Sequence, residues 1–340
     1  MIKEAMAKVA AHQSMTTEET REVMGEMVSG GATPSQLGAF LTALRMKGET
    51  VEEMVGLELV MREHAVRVEV DRLLVDTCGT GNDQLSTFNV STAAAIVVAA
   101  TGQPVAKHGN RAVTSKFGSA DVLEALGIAI DLSPEGVARS IQAANFGFML
   151  ATAYHPAMKA IGQVRRELGI GTIFNVMGPL SNPAGAEAQV LGVADGRLTL
   201  HMADALRRLG CRHAYVVHGL DGMDELSISG PTEVHEVRDG WIRNYQVTPE
   251  DAGLRSHPLE AIRATSREES VAIIRQVFAG SQGAPRDVVL LNAGAALAAA
   301  GKAEDLREGA ELAARALDSG RAQETLEALA AFRMENVPAA

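Results

Sequence analysis

At Asp71 the character of this 340-residue sequence changes, and the change limits the possible folds more than any other feature. Up to about residue 70 every apolar pattern is helical. Thr16-Thr17-Glu18-Glu19 opens one helix with acidic residues in its first turn, and Gly30-Gly31 closes it. Thr33-Pro34 opens a second, with Leu37, Phe40, Leu41 and Leu44 at helical spacing, and Thr50 caps a third over 51–64. From Asp71 onward short apolar runs alternate with helical ones. Strands are predicted at 73–76, 104–106, 146–150, 187–193 and 213–218, with helices at 92–100, 119–126, from Ser133 and at 156–168. Such alternation specifies a mainly parallel sheet with helices on its faces. Further strands at 226–229 and 233–238 read as a hairpin over Gly230-Pro231, and 266–278, 290–300 and 303–331 read as helices. The Gly-, Asn- and Pro-rich stretch 169–183 marks a connection that returns to the first helical block. The expected class is α/β, with a small helical N-terminal domain over 1–70, joined by a return segment near 169–186. A larger α/β domain over 71–340 is built on a central, mostly parallel sheet flanked by helices.

Composition agrees with this class. Hydrophobic residues make up 46% of the chain and aromatics only 4%, so helices must pack largely through Ala, Val, Leu, Ile and Met. A net charge of -11 excludes a general nucleic-acid binder, which needs a broad basic face. Cys78 and Cys211 lie too far apart in sequence to form a metal-ligand spacing, which fits a reduced, cytoplasmic setting. The first residues lack the apolar core of a secretory signal, and the run 93–100 is too short to span a membrane, so a soluble intracellular protein is expected.

In so acidic a chain the segment 75–118 stands out, because it places Lys107, His108, Arg111 and Lys116 within ten residues and with no acidic residue between them. A solvated surface is the common reading of such cations, but here they are interleaved with Gly109, Asn110, Thr114 and Ser115, which favours a phosphate-binding loop. The same segment holds Gly79-Thr80-Gly81-Asn82-Asp83 after a strand, where glycines let the backbone approach a ligand closely. Alone, that loop is neither a dinucleotide fingerprint nor a Walker loop. Asn89-Val90-Ser91-Thr92 then opens a helix whose free amides and dipole suit an anion; Ser91 or Thr92 caps it, leaving surplus hydroxyls for phosphate or magnesium. Farther on, Asp224-Glu225 is a carboxylate pair suited to magnesium or, equally, an exposed acidic turn, with Asp221 a competing ligand. Arg165 and Arg166 share a helix, and the pattern does not say which faces a substrate carboxylate. His155, just before that helix, reads as bonding locally.

Taken together, GTGND, NVST, KHGNRAVTSKFGSAD, YHPAM, VRRELGIGTIFNVMGPLSNPA, QVLGV and VVHGLDGMDE, with the N-terminal GEMVSGGATPSQLGAFLTALRMKGET, resemble the anthranilate phosphoribosyltransferase family along almost the whole chain. The resemblance implies transfer of a phosphoribosyl group from 5-phosphoribosyl 1-diphosphate to anthranilate with Mg2+, by a homodimer formed through the helical parts. It implies that Gly79, Asn82, Asp83, Thr87, Asn89, Val90, Ser91 and Thr92 surround the donor, together with Lys107, His108, Gly109, Asn110, Arg111, Ala112, Val113, Thr114, Ser115 and Ser119 or Ala120. Gly79, Asn110 and Arg165 would contact anthranilate, and Ser91, Asp224 and Glu225 would hold Mg2+. No general base is implied; Lys107, His108 and Arg111 position the reactants. Three residues depart from the family pattern: Asn82 replaces a loop glycine, Phe117 a small residue and Thr152 a proline. A related transferase with another aromatic acceptor, or a non-catalytic paralogue, is the alternative.

Overall fold

A computed structural model describes residues 1–81, 83–111 and 117–332. The first four helices are α1 (Ile2–Ala10), α2 (Thr17–Val28), α3 (Pro34–Lys47) and α4 (Val51–Glu63). Each of the last three starts at a capping box, in which Thr16, Thr33 or Thr50 accepts from the third helical N–H while Glu19, Gln36 or Glu53 reaches back. These are the starts that the sequence pattern marks.

The rest of the chain runs β1 (Val75–Gly79), α5 (Val90–Ala100), β2 (Val105–Gly109), α6 (Ser119–Ala125), α7 (Pro134–Ala144), β3 (Phe146–Leu150), α8 (Ala151–Tyr154), α9 (Met158–Leu168) and β4 (Ala188–Gly192). It continues with α10 (Thr199–Arg208), β5 (His213–Gly219), β6 (Thr232–Arg238), β7 (Trp241–Val247), α11 (Arg267–Phe278), α12 (Ala284–Ala299), α13 (Leu306–Asp318) and α14 (Arg321–Ala331). The seven strands form one sheet in the order β3-β2-β1-β4-β5-β6-β7, with β1 to β5 parallel and the last two antiparallel. Chain order reverses between β1 and β4, whose register pairs Gly79 with Gly192. In open α/β sheets the crevice beyond such a reversal is where ligands bind.

Side chains alternate across the sheet. Val190, Tyr215 and Val217 join the core under α5 and α12, whereas Leu191, Ala214 and Val216 join the core shared with α10 and the N-terminal helices. Helix α5 is buried almost all round by alanine and valine, which lets α12 and the sheet approach it without aromatic filler.

Several expectations need correction. The strand predicted at 104–106 extends to Gly109, so Lys107 and His108 lie on β2 and not in a loop. The hairpin is not over Gly230-Pro231: residues 226–229 form no strand, and β6 pairs with β7 across Asp239-Gly240. Both turn residues have positive φ (47° and 84°), the geometry that favours Asp-Gly in two-residue hairpins, and that dipeptide is the local signal for this turn. Helix 303–331 is two helices, broken where Gly320 sits at φ 79°.

The return segment 169–186 is tied to both parts of the fold. Arg62 on α4 donates to Leu180 O (Nε at 2.9 Å), and Glu58 Oε2 accepts from Ser181 Oγ at 2.9 Å. On the sheet side, Asn182 Nδ2 donates to Asp76 Oδ2 and Ala106 O, both at 2.8 Å, and Gln189 Nε2 donates to Pro179 O at 2.7 Å. Burial raises the Glu58 carboxyl from 4.5 to about 7, against the opposing pull of Arg62. The folded chain therefore holds a proton there that the unfolded chain loses near pH 4.5. That contribution to stability is full below 4.5 and is lost as pH rises through about 7. Glu58→Gln, which can still accept from Ser181, should flatten this pH dependence, worth on the order of 3 kcal/mol. Urea unfolding of both proteins at a series of pH values from 5 to 8 checks it; parallel curves would rule out Glu58 as the source.

Candidate active site

Two glycines at the ends of β1 and β4 determine what can lie over the sheet. A Cβ on Gly192 would fall 1.6 Å from the backbone oxygen of Asp224, and one on Gly79 would fall 2.2 Å from its carboxylate. The segment after β5 therefore lies directly on the strand ends, and only glycine permits it. Gly81, at φ 72°, then turns the loop so that its N–H donates to Asp224 Oδ2 at 2.7 Å. Gly79 thus serves close approach, and Gly81 serves the turn.

Opposite this segment stands the start of α5. Its N-cap is Asn89, which accepts from Thr92 N–H at 3.2 Å. The expectation that Ser91 or Thr92 caps the helix is corrected accordingly: both lie within the first turn, Ser91 bonded to the Glu225 carboxyl and Thr92 buried with its Oγ1 unpartnered. The stretch before the helix is stitched to the C-terminal part, since Ala264 N–H donates to Ser86 O at 2.8 Å and Thr87 bridges Arg263. Asn89 N–H likewise donates to Ser270 Oγ at 3.0 Å.

Lys107 is 1% exposed. Its ammonium donates to Thr77 O and, at 3.3 Å, to Ser91 Oγ. Its charge acts on Asp76 and Glu225, and Asp224 and Asp83 lie close to Glu225. Burial raises the Asp76 and Glu225 carboxyls, the latter to about 7, and Lys107 pulls both back down. Asp224 is pushed well above the carboxylate range, first by burial and then by the charges of Glu225 and Asp83. Asp83 and Asp224 also share a hydrogen bond. These carboxyls are crowded beyond what one ammonium offsets, and an added cation would relieve them.

Asp221 is not available as a ligand. Its carboxylate accepts from Met223 N–H at 3.1 Å, Ser227 Oγ at 2.6 Å and Ser229 Oγ at 2.5 Å. It holds the turn that carries Asp224 and Glu225.

On the other side of β2 lie two histidines. Nδ1–H of His108 donates to Gly178 O at 3.1 Å, and its backbone N–H to Asp76 Oδ1 at 3.3 Å. Burial, helped by His155, lowers the His108 imidazole to about 3, so it is neutral and its unpartnered Nε2 is an acceptor. His155 stands 5.1 Å away, ring to ring, and donates from Nε2 to Ser181 O at 3.0 Å. It does not bond locally at its helix start; it is tied to the return segment. On α9 the two arginines are told apart: Arg166 is exposed, whereas Arg165 is half-buried, donates to Asn175 Oδ1 at 3.1 Å and stacks over Phe174. Burial lowers the Arg165 guanidinium, and its Nε has no partner.

Arg111 is farther from its expected role. It is exposed and paired with Asp121 (3.1 Å) and Glu124 (2.9 Å), two acids just beyond the cationic stretch. Asn110 accepts Arg111 N–H through its side chain, and its carbonyl accepts from Ala120 N–H and Ser119 Oγ. Thr152 is exposed on α8, and Phe117 packs against the core under α5. Asn82 and 112–116, with Ala112, Val113, Thr114 and Ser115, lie outside the described residues. Sequence reasoning assigned no role to Asp76, Asn182 or Gly192, although Gly192 lies within the QVLGV motif. A cavity of about 330 Å³ near Arg212 and Lys302 opens at the opposite, N-terminal ends of the strands and has no part in this site.

Gly192→Ala should displace the 224–225 segment and cost about 2 kcal/mol or more, as other overpacked positions do. The urea midpoint reads this; an unchanged midpoint would show that the segment yields freely.

Comparison with known proteins gives a consistent picture. The family described as "Glycosyl transferase family, a/b domain" matches residues 71–323, and the one described as "Glycosyl transferase family, helical bundle domain" matches residues 3–65. The chain is 53% identical over 332 residues to an anthranilate phosphoribosyltransferase of Symbiobacterium thermophilum, covering 97% of each. It is similar to the crystal structure of the Thermus thermophilus anthranilate phosphoribosyltransferase, with TM-score 0.90 and 44% identity over 96% of this chain and 98% of that one. It is also similar to the Saccharomyces cerevisiae enzyme in complex with PRPP and Mg, with TM-score 0.86 and 27% identity over 96% of each chain.

Proposed function

The chain belongs to the anthranilate phosphoribosyltransferase family, and we propose that it transfers the 5-phosphoribosyl group of 5-phosphoribosyl 1-diphosphate to anthranilate. The products are N-(5-phosphoribosyl)anthranilate and pyrophosphate, the second step of tryptophan biosynthesis from chorismate. The observation that carries this reading is the convergence of Lys107, Ser91, Asp224 and Glu225 on the α5 N-terminus at the β1/β4 reversal.

The donor set fits magnesium. Its members are hard oxygen ligands, and their raised carboxyls call for a cation. Among the described residues no three acidic, histidine or cysteine side chains form a metal site by themselves, so donor oxygens would complete it. Asp224, Glu225 and Ser91 would hold Mg2+, which, when bound, neutralises charge on the diphosphate.

The protein's own groups do the rest. Amides at the α5 start and the Lys107 ammonium favour the charge that grows on the departing pyrophosphate. The anthranilate amine is neutral near pH 7 and needs no strong base, so holding it against the anomeric carbon supplies much of the rate. Arg165 binds and orients the acceptor carboxylate, for which its half-buried, incompletely bonded guanidinium is suited. Neutral His108 offers an acceptor nitrogen beside it. Gly79 and Asn110 complete the acceptor contacts, while Asn82, Asp83, Thr87, the 89–92 turn, the 107–115 stretch and Ser119 surround the donor. Arg111 joins them by exchanging Asp121 and Glu124 for phosphate.

We also assign residues 1–70 with the return segment to a helical domain and 71–340 to the donor-binding domain. The reading includes a homodimer through the helical domain, supported by the exposed apolar side chains of Met46 and Ile170 there, and a cytoplasmic location. No helix among the described residues is long and apolar enough to cross a membrane.

Pyrophosphate release measured with Mg2+ and donor should depend on anthranilate; release that ignores anthranilate would sink the acceptor assignment. Arg165→Ala should raise the KM for anthranilate about 10-fold or more, the loss of a charged hydrogen-bond pair, and leave the KM for the donor nearly unchanged. Steady-state kinetics with each substrate varied in turn would show it; an unchanged anthranilate KM would favour a different acceptor.

A further inference from the structure

Helix α12 is buried along nearly its whole length and lined by alanine, valine and leucine, yet it carries an asparagine in its middle. Asn292 is 2% exposed. A carboxamide there costs stability unless every polar atom is bonded, and here each one is. Its Oδ1 accepts from Leu226 N–H at 3.0 Å, and its Nδ2 donates to Leu226 O and Val288 O, each at 3.0 Å.

The residue it grips directly follows Glu225. Leu226 gives both its backbone groups to a side chain 66 residues away, so its peptide plane is fixed by α12 as a strand's would be by a neighbour. Asp221 fixes the other end of the same turn, and Gly79 and Gly192 leave no space between it and the strand ends. The carboxylates of Asp224 and Glu225 thus sit on a backbone clamped at both ends, and Asn292 is the clamp on the side of the helix core.

We propose that Asn292 is a positioning residue for the cation site: by pairing with Leu226 it sets the direction of the Asp224 and Glu225 carboxylates and so the affinity for the divalent ion. This rests on the proposed function. Groups that orient a metal's ligands without touching the metal commonly change its affinity as much as a ligand's own neighbours do. An apolar residue of similar size would fill the space but leave the buried Leu226 N–H and C=O unpaired, so the asparagine's role is to hold that backbone.

The test compares the full-length protein with Asn292→Leu and Asn292→Ala. Manganese(II) binding in the presence of 5-phosphoribosyl 1-diphosphate is followed by electron paramagnetic resonance, alongside thermal unfolding and the KM for anthranilate. The expected result is manganese affinity about 10-fold or more weaker in Asn292→Leu, with the KM for anthranilate unchanged. Equal manganese affinity in wild type and Asn292→Leu would overturn the proposal, whatever happens to the melting temperature. A packing role alone would lower the melting temperature and leave the ion's affinity alone. If both variants fail to fold, Ser229→Ala, which loosens Asp221 at the other end of the turn, must weaken manganese binding, and no change would refute the clamp. Wild type that binds no manganese with donor present would instead remove the proposed function, and this inference with it.

Discussion

A lysine buried in a parallel sheet is the constraint on which the rest of this structure depends. An ammonium taken out of water needs fixed acceptors and opposite charge close by, and the chain supplies both from separate elements. Thr77 on β1 and Ser91 on α5 accept from Lys107, while Asp76 and Glu225 supply the charge. The strand, the helix start and the segment after β5 are thereby held together around one cation. Because more carboxyls gather there than one ammonium can offset, burial and mutual repulsion keep them protonated more readily than usual, and the cluster has capacity for a further cation.

The second tie is the return segment. Residues 178–182 accept from His108, His155, Arg62 and Gln189 through their carbonyls and give Asn182 to Asp76. A connection rich in Gly, Asn and Pro is suited to this, since irregular backbone leaves carbonyls free for side chains. Movement of the N-terminal helices relative to the sheet strains these bonds as well as the core shared with α10 and the Arg208–Glu52 pair at 2.8 Å, so the helical part bears on the histidine side of the site.

Local signals explain what the sequence made visible. Threonine caps with Glu or Gln three residues on, the Ser133-Pro134 start and the alternation after Asp71 act within a few residues, and the helices and parallel strands follow them. The site was harder to read, because its geometry depends on approaches between distant residues. Lys107 looked like one of a cluster of loop cations, since a five-residue buried strand offers no alternation that separates a lysine on it from one just beyond it. Arg111 looked unpaired because its acids begin at Asp121, on the next helix. Gly192 and Asn292 carried no local signal that distinguishes a turn glycine from a contact glycine, or a helical asparagine from a clamp. The family resemblance named Ser91, Asp224 and Glu225 together; spacing alone could not have brought them to one place.

An acidic protein that binds a polyanion poses an electrostatic problem, and the fold answers it by distance and direction. Exposed acids spread over the surface are screened within roughly 8–10 Å at physiological ionic strength. The groups that matter lie below that surface, where interactions are less screened. There the Lys107 ammonium is bonded to Thr77 and Ser91 beside the Asp76 and Glu225 carboxyls, so the proposed site would favour a ligand that brings a divalent cation over a bare anion. In the proposed function, local charge at the β1/β4 reversal, and not the net charge of -11, would govern donor binding: a diphosphate arriving with its metal would suit the Asp83, Asp224 and Glu225 carboxyls better than one arriving without it.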